Sequence, residues 1–263
     1  METGLKGRVT IVAASSQGIG RATAEAFARE GSSLAICSRD DRSIHAAAEE
    51  IRNRHGVEVL PMALDVTEAG AVTKFVNAVV QKFGRVDVCV TNAGGPPAKA
   101  FLALTPDDWQ SAFALNLLSA IHFCRAVLPQ MQKQKWGRII TITSISVKQP
   151  IADLVLSNAI RTGVVGLVKS LANEFGKDGI TVNNVAPGYT ATERLKDLAE
   201  VRAAALKVSP QDMFDRWAVD TSAGRIAEPI EVADAIVWLA SERSAMITGQ
   251  TVLVDGGSYR GTF

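Results

Sequence analysis

Val9-Thr-Ile-Val-Ala-Ala14 is a short β-branched run that leads into Ser15-Ser-Gln-Gly18-Ile-Gly20 and then into the apolar-periodic stretch Ile19–Arg29. A strand that turns on glycines directly into a helix fits few architectures. The same alternation continues along the chain. Strands are predicted at Val9–Ala13, Ser33–Cys37, Val57–Ala63, Val86–Thr91, Arg138–Thr143, Thr181–Val185 and Thr251–Val254. Most are continuous apolar runs, the form taken by strands covered on both faces. Helices are predicted at Ile19–Arg29, Arg42–Arg54 and Val72–Phe83. Thr105-Pro-Asp-Asp108 marks another helix start, with a Thr cap, a Pro in the first turn and acids that suit the helix dipole. A later helix begins at Pro229. The pattern predicts an α/β fold with a doubly wound, seven-stranded parallel sheet and helices on both faces.

Length alone leaves one or two domains open for 263 residues. The chain has no Gly/Ser linker, composition break or internal repeat, so residues 1–263 are read as one domain. Segment 190–224 is helical in composition yet joins two sheet-associated elements. In an open α/β sheet that places it over the carboxyl ends of the strands, where ligands bind. It is expected to be a substrate lid, the alternative being a surface helix pair with no part in binding.

Glycines at 18 and 20, between a first strand and a helix, let the backbone approach a pyrophosphate, whose charge meets free amides at the helix start. Ser15, Ser16, Gln17, Gly18, Ile19 and Gly20 are therefore candidate cofactor-binding residues of a dinucleotide (Rossmann) domain. An acid at the end of the second strand would bond a ribose 2′-hydroxyl, whereas an Arg accommodates a 2′-phosphate. Here Cys37-Ser38-Arg39 stands at that place, which favours NADP(H) and leaves NAD(H) as the alternative. Asp40 and Asp41 could blunt the charge of Arg39.

The net charge of +1 gives no electrostatic case for nucleic acid or an acidic membrane surface. No apolar run is expected to span a membrane, and Met1–Lys6 lacks the apolar stretch of a secretory signal. Cys37, Cys89 and Cys124 sit among apolar neighbours, as buried thiols in a reducing compartment would. His45, His55 and His122 have no metal-ligand spacing, so no metal is expected, and His122 reads as a packed or interface residue. The expectation is a soluble cytoplasmic enzyme.

Further residues carry a family resemblance. Asp65-Val66 follows the third strand, Asn92-Ala93-Gly94 ends the fourth, Pro187-Gly188 follows the sixth, and Val254-Asp-Gly-Gly257 lies near the carboxyl end. Ser144 stands 13 positions before Ser157, and Arg161 lies one helical turn later. In this order, from Val9 to Gly257, the set resembles the short-chain dehydrogenases/reductases. That resemblance implies adenine contacts from Asp65 and Val66, coenzyme contacts from Asn92, Ala93 and Gly94, and a turn at Pro187 and Gly188 beside the nicotinamide. Ala14 takes the place of the family's first turn glycine, which suits a backbone with negative φ.

The resemblance also implies the chemistry: hydride passes between nicotinamide and a carbonyl carbon while a Tyr-x-x-x-Lys pair handles the proton. Asn116 matches the Asn that fixes a relay water, and Ser144 the Ser that holds the substrate oxygen. Tyr, however, has become Ser157, and Lys has become Arg161. A serine lacks the ring that carries a phenol into the site and is a far weaker acid than a phenol of pKa ~10. Arg161 keeps the positive charge and can fork to ribose hydroxyls, but it stays protonated. Tyr189 is either a substitute acid or a packing group, and Ser146, Lys148, Asp153 or water could also serve. Gly94-Gly-Pro-Pro97 either stiffens the substrate loop or is a plain rigid turn.

The expected function is thus an NADP(H)-dependent oxidoreductase acting on a small carbonyl or alcohol, 3-oxoacyl thioester reduction being the familiar reaction for such chains, with altered proton transfer. The alternatives are a catalytically silent dinucleotide-binding sensor or partner subunit, and a purely structural homologue. The resemblance implies a homo-oligomer, tetramer or dimer, through the helix after Thr105 and the helix from Asn158 to Phe175.

Overall fold

The computed structural model describes residues 2–262. Its sheet holds seven parallel strands: β1 (Val9–Val12), β2 (Ser33–Ser38), β3 (Val59–Ala63), β4 (Val88–Thr91), β5 (Gly137–Ile142), β6 (Ile180–Pro187) and β7 (Thr251–Val254). Their order is β3-β2-β1-β4-β5-β6-β7. The direction of winding therefore reverses between β1 and β4, and the crevice at the carboxyl ends of those two strands is the ligand position of such sheets. Register is set by apolar pairs such as Ile11 with Ala35 on one side and with Cys89 on the other.

Helices cover both faces. On one side α1 (Gly18–Arg29), α2 (Asp41–His55) and α9 (Pro229–Ala240) bury Phe27, Ile44, Ile51 and Ile236 against β1, β2 and β4–β6. On the other, α3 (Ala69–Phe83), α5 (Ser119–Gln134) and α6 (Val155–Phe175) bury Phe75, Phe123, Met131 and Val168. Phe75 and Phe123 meet edge to face at 6.5 Å, joining α3 to α5. The three cysteines are fully or almost fully buried, and desolvation pushes the thiols of Cys37 and Cys124 up to about 12.

The predicted start at Thr105 is a reciprocal cap. Thr105 Oγ1 accepts from the Asp108 amide at 3.2 Å, and Asp108 Oδ2 accepts from the Thr105 amide at 2.9 Å. α4 (Pro106–Phe113) then runs through a wide turn, Ala114–Leu118, into α5. Together they form a helix of 29 residues, Pro106–Gln134, long and apolar enough by composition to cross a membrane. Asn116, His122 and Arg125 interrupt it, so it is not an uninterrupted apolar run of the kind the sequence excludes. The apolarity arises from packing, because α5 lies on α3, β4 and β5.

Segment 190–224 forms two helices, α7 (Glu193–Leu206) and α8 (Pro210–Val219). They bury a small cluster of their own: Leu195, Ala199, Ala203, Met213 and Trp217. Tyr189 stacks on Trp217 at 5.0 Å, which ties this pair to the end of β6.

Candidate active site

The residues predicted for coenzyme binding lie at the carboxyl ends of β1, β2, β3, β4 and β6 and at the start of α1, with Arg161 on α6. Past β1 the chain stays anchored: the Ala13 amide donates to Val90 O at 3.0 Å, and the Ser15 amide to Cys37 O at 3.1 Å. The buried Ser15 hydroxyl donates to Val12 O at 2.8 Å. α1 then begins at Gly18 with Gln17 as its cap residue, no side chain of the described residues accepting from its first amides and no acid in its first turn. α2, α4, α7 and α8 each have a side-chain cap, while α3 and α6, like α1, have none. The uncapped end of α1 leaves its donors for an anion.

Gly20 locks this turn. A Cβ there would lie 2.2 Å from Ala14 O and 2.9 Å from Asn92 Nδ2. Asn92 Nδ2 itself donates to Ala14 O at 3.3 Å, so the end of β4 holds the carbonyl of the turn. Ala14 has φ +48°, contrary to the negative value expected from its side chain. Its carbonyl is turned inward to Asn92, and the left-handed backbone costs an L-residue roughly 1–2 kcal/mol.

At the end of β2, Ser38 donates to Asp40 O at 3.0 Å while Arg39 is exposed. The two acids that could blunt Arg39 are engaged elsewhere. Asp40 accepts from the Ser43 amide at 2.7 Å as the cap of α2, and Asp41 pairs with His45 at 3.3 Å. Among the described residues Arg39 joins no ion pair. Asp65 accepts from the amide and hydroxyl of Thr67, which holds its carboxyl below the usual range; the charge of Arg39 adds to this. Val66 is buried beside it, and its carbonyl lies 3.3 Å from His122 Nδ1. Pro187 is buried at the end of β6, and the Gly188 amide donates to Val254 O at 3.0 Å.

The candidate chemical residues meet at the carbonyl of Gly94. It accepts from Asn116 Nδ2 at 2.8 Å and from Arg161 Nη2 at 3.3 Å. Asn116 sits in the wide turn between α4 and α5, a π-type bulge of the kind common at functional positions. It is buried, and its Oδ1 has no partner among the described residues. A cavity of about 10 Å³ lies among Asn92, Asn116, Thr141 and Arg161, room for roughly one water.

Arg161 is 7% exposed and donates to Ile142 O and Thr143 O from Nη1, and to Ala93 O and Gly94 O from Nη2, all at 3.3–3.4 Å. It thereby staples the end of β4 to the end of β5. No carboxylate pairs with it among the described residues. Burial, with the charge of Arg194 second, pushes its guanidinium down to about 10, so it remains a cation at neutral pH. The bonds to Ile142 O and Thr143 O are buried, and each of these carbonyls left without its donor would cost about 1–3 kcal/mol, partly offset by removing a buried charge. Arg161→Met should therefore destabilise the fold by about 2–3 kcal/mol. Calorimetry should show Tm falling by roughly 5–10 °C; an unchanged Tm would mean that the staple carries no load.

Ser144 Oγ accepts from the Ser146 amide at 3.2 Å and stays partly exposed. Ser157 is buried, and its hydroxyl lies 3.1 Å from that of Ser146, itself buried. Tyr189 stacks within the α7–α8 cluster, and burial raises its phenol pKa, so packing describes it better than acid catalysis. Lys148 and Asp153 are exposed. Sequence reasoning missed Arg194, in the first turn of α7, whose side chain reaches Pro96 O; only the fold reveals that neighbour.

A family model described as enoyl-(acyl carrier protein) reductase matches residues 13–259. The 3-oxoacyl-(acyl-carrier-protein) reductase FabG of Vibrio cholerae is 34% identical over 256 residues, 97% of this chain and 98% of that relative. Among solved structures, L-sorbose reductase from Gluconobacter frateurii, complexed with NADPH and L-sorbose, superposes with a TM-score of 0.94 at 31% identity, covering 99% of this chain and 100% of that one. An NADPH-bound short chain oxidoreductase from Pseudomonas aeruginosa, described as containing an atypical catalytic center, gives 0.89 at 32% identity, covering 97% and 98%.

Proposed function

As the chain belongs to the short-chain dehydrogenase/reductase family, we propose that it moves hydride between NADP(H) and a carbonyl or alcohol substrate, using a proton-transfer site without a phenol. The observation that carries this reading is the uncapped N-terminus of α1, held open by Gly20 against Ala14 and Asn92. Donors there suit a pyrophosphate, and the unpaired Arg39 suits a 2′-phosphate. When bound, the coenzyme supplies or accepts the hydride; the rest falls to the chain. Ser144 offers a hydroxyl to the substrate oxygen. Asn116 presents a free acceptor to a water that can carry the proton. Arg161 fixes the β4 and β5 ends, so its service is positional, and the hydroxyls of Ser157 and Ser146 stand behind Ser144. Without a positioned acid, simple ketone reduction lacks a factor of ~10²–10⁴.

Segment 190–224 acts as the lid in this reading, and the chain assembles with copies of itself, as a dimer or tetramer, through α4–α5 and α6. The first substrates to try are 3-oxoacyl thioesters, the class for which the Vibrio relative is named. One observation favours a silent dinucleotide sensor instead: Ser157 spends its hydroxyl on Ser146, and Arg161 spends both Nη atoms on main-chain carbonyls. Coenzyme binding without oxidation of NADPH across a carbonyl panel would select that reading.

Arg39→Ala tests the coenzyme assignment. One charge-assisted contact of about 1.5–3 kcal/mol predicts that NADPH binds roughly 10–100 times more weakly. NADH affinity should stay within about twofold. Equal losses for both coenzymes in fluorescence titration would refute the assignment.

A further inference from the structure

We infer that Arg194 selects substrates carrying a carboxylate close to the reacting carbonyl, an inference that rests on the oxidoreductase reading above. Arg194 lies in the first turn of α7 and donates from Nη2 to Pro96 O at 2.8 Å. Its Nε stands 3.3 Å from where a Cβ on Gly95 would be. On the other side of the same short segment, Arg161 donates to Ala93 O and Gly94 O. Two guanidinium groups therefore flank Ala93–Pro96, close enough for the charge of one to depress the proton affinity of the other.

Among the described residues neither cation is in an ion pair. Glu193 pairs with Lys196 at 2.7 Å, and Asp108 with Lys99 at 3.0 Å. Asp153 and Asp197 are exposed and pair with neither arginine. Like charges so placed, without a counter-charge, favour an anion between or beside them. Arg161 is buried and occupied by four carbonyls. Arg194 is exposed and spends one of its five N–H donors, so its planar fork is free to meet a carboxylate with two parallel bonds.

The anion could come from the substrate or from the coenzyme pyrophosphate, and position favours the substrate. Thr192, not Arg194, covers the glycine turn, its methyl 3.5 Å from the Cβ position of Gly18. Arg194 lies beyond Gly94, over the loop that runs to Lys99. Lys99 in turn bridges Leu154 just before the helix that carries Ser157. That is the side on which Ser144 and Ser157 stand.

The test compares acetoacetate with its neutral ethyl ester, using NADPH-loaded protein. Wild type should favour acetoacetate in kcat/KM. Arg194→Gln should lose that preference at least about tenfold through KM, with kcat and NADPH affinity little changed. Arg194→Lys should restore part of it. In parallel, calorimetry should detect acetoacetate binding to the NADP⁺-loaded wild type and its loss in Arg194→Gln, whether or not turnover occurs. A wild type that prefers the ester, or an equal loss for both compounds, overturns the inference. So does an Arg194→Gln variant that weakens NADPH alone, which would assign the cation to the pyrophosphate. Failure of NADPH to bind the wild type would instead remove the underlying oxidoreductase reading.

Discussion

The double variant Ser157→Tyr with Arg161→Lys should reduce a simple ketone ester ~10²–10⁴ times faster than the wild type, the range a positioned general acid supplies. The family's register makes this the largest expected gain. Residue 157 opens a helical turn that faces Ser146, and residue 161 lies one turn on beneath the Gly94 carbonyl. A phenol at 157 would bring an acid forward where the serine hydroxyl is held back by Ser146. A lysine at 161 frees a cation to lower that phenol's pKa, whereas Arg161 is bound to four carbonyls. The cost is stability, because a single ammonium cannot span both strand ends as the guanidinium fork does. The assay therefore runs well below the melting temperature, with both single variants alongside. Ser157→Tyr alone should give a small part of the gain. A folded double variant with no gain would show that the pocket has diverged along with the pair.

The second large effect is expected at the glycine turn. Gly20→Ala should weaken NADPH binding by at least about 100-fold, some 2.7 kcal/mol. The added methyl would stand 2.2 Å from Ala14 O, a backbone atom that cannot swing aside as a side chain could. Relief requires moving α1 outward or releasing the carbonyl from Asn92, and either spoils the amides offered to the pyrophosphate. Circular dichroism should show the sheet intact while fluorescence titration loses saturation. Asn92→Ala should give a milder version, since it removes one anchor without inserting an atom. If Gly20→Ala binds NADPH like wild type, the turn does not hold the coenzyme.

The sheet was legible in the sequence for a physical reason: strands buried on both faces are largely apolar, and most of the seven lie where a continuous apolar run occurs, β6 with Asn183 and Asn184 being an exception. Boundaries moved by a residue or two. β3 and β4 begin two residues late, while β6 continues through Pro187, whose missing amide is harmless next to a turn. The tight approach at the glycine turn was also readable, because a backbone contact as close as that of Gly20 to Ala14 O demands a residue without a Cβ. The positive φ of Ala14 was not readable, since nothing local tells an alanine to adopt it; it follows from where Asn92 lies across the sheet. Arg161 was recognised as a retained charge, but its service to carbonyls from two strands needs the fold. Arg194 carried no signal at all, because its partner loop lies 98 positions away along the chain.

The most direct test of the account is a calorimetric titration of the purified wild-type chain with NADPH. Saturable heat at one coenzyme per chain, weakened in Arg39→Ala and lost in Gly20→Ala, is the expected result. A chain that is folded and gives no heat with either NADPH or NADH would contradict a coenzyme seated in the β1–β4 crevice, and with it every role assigned to the residues around Gly94.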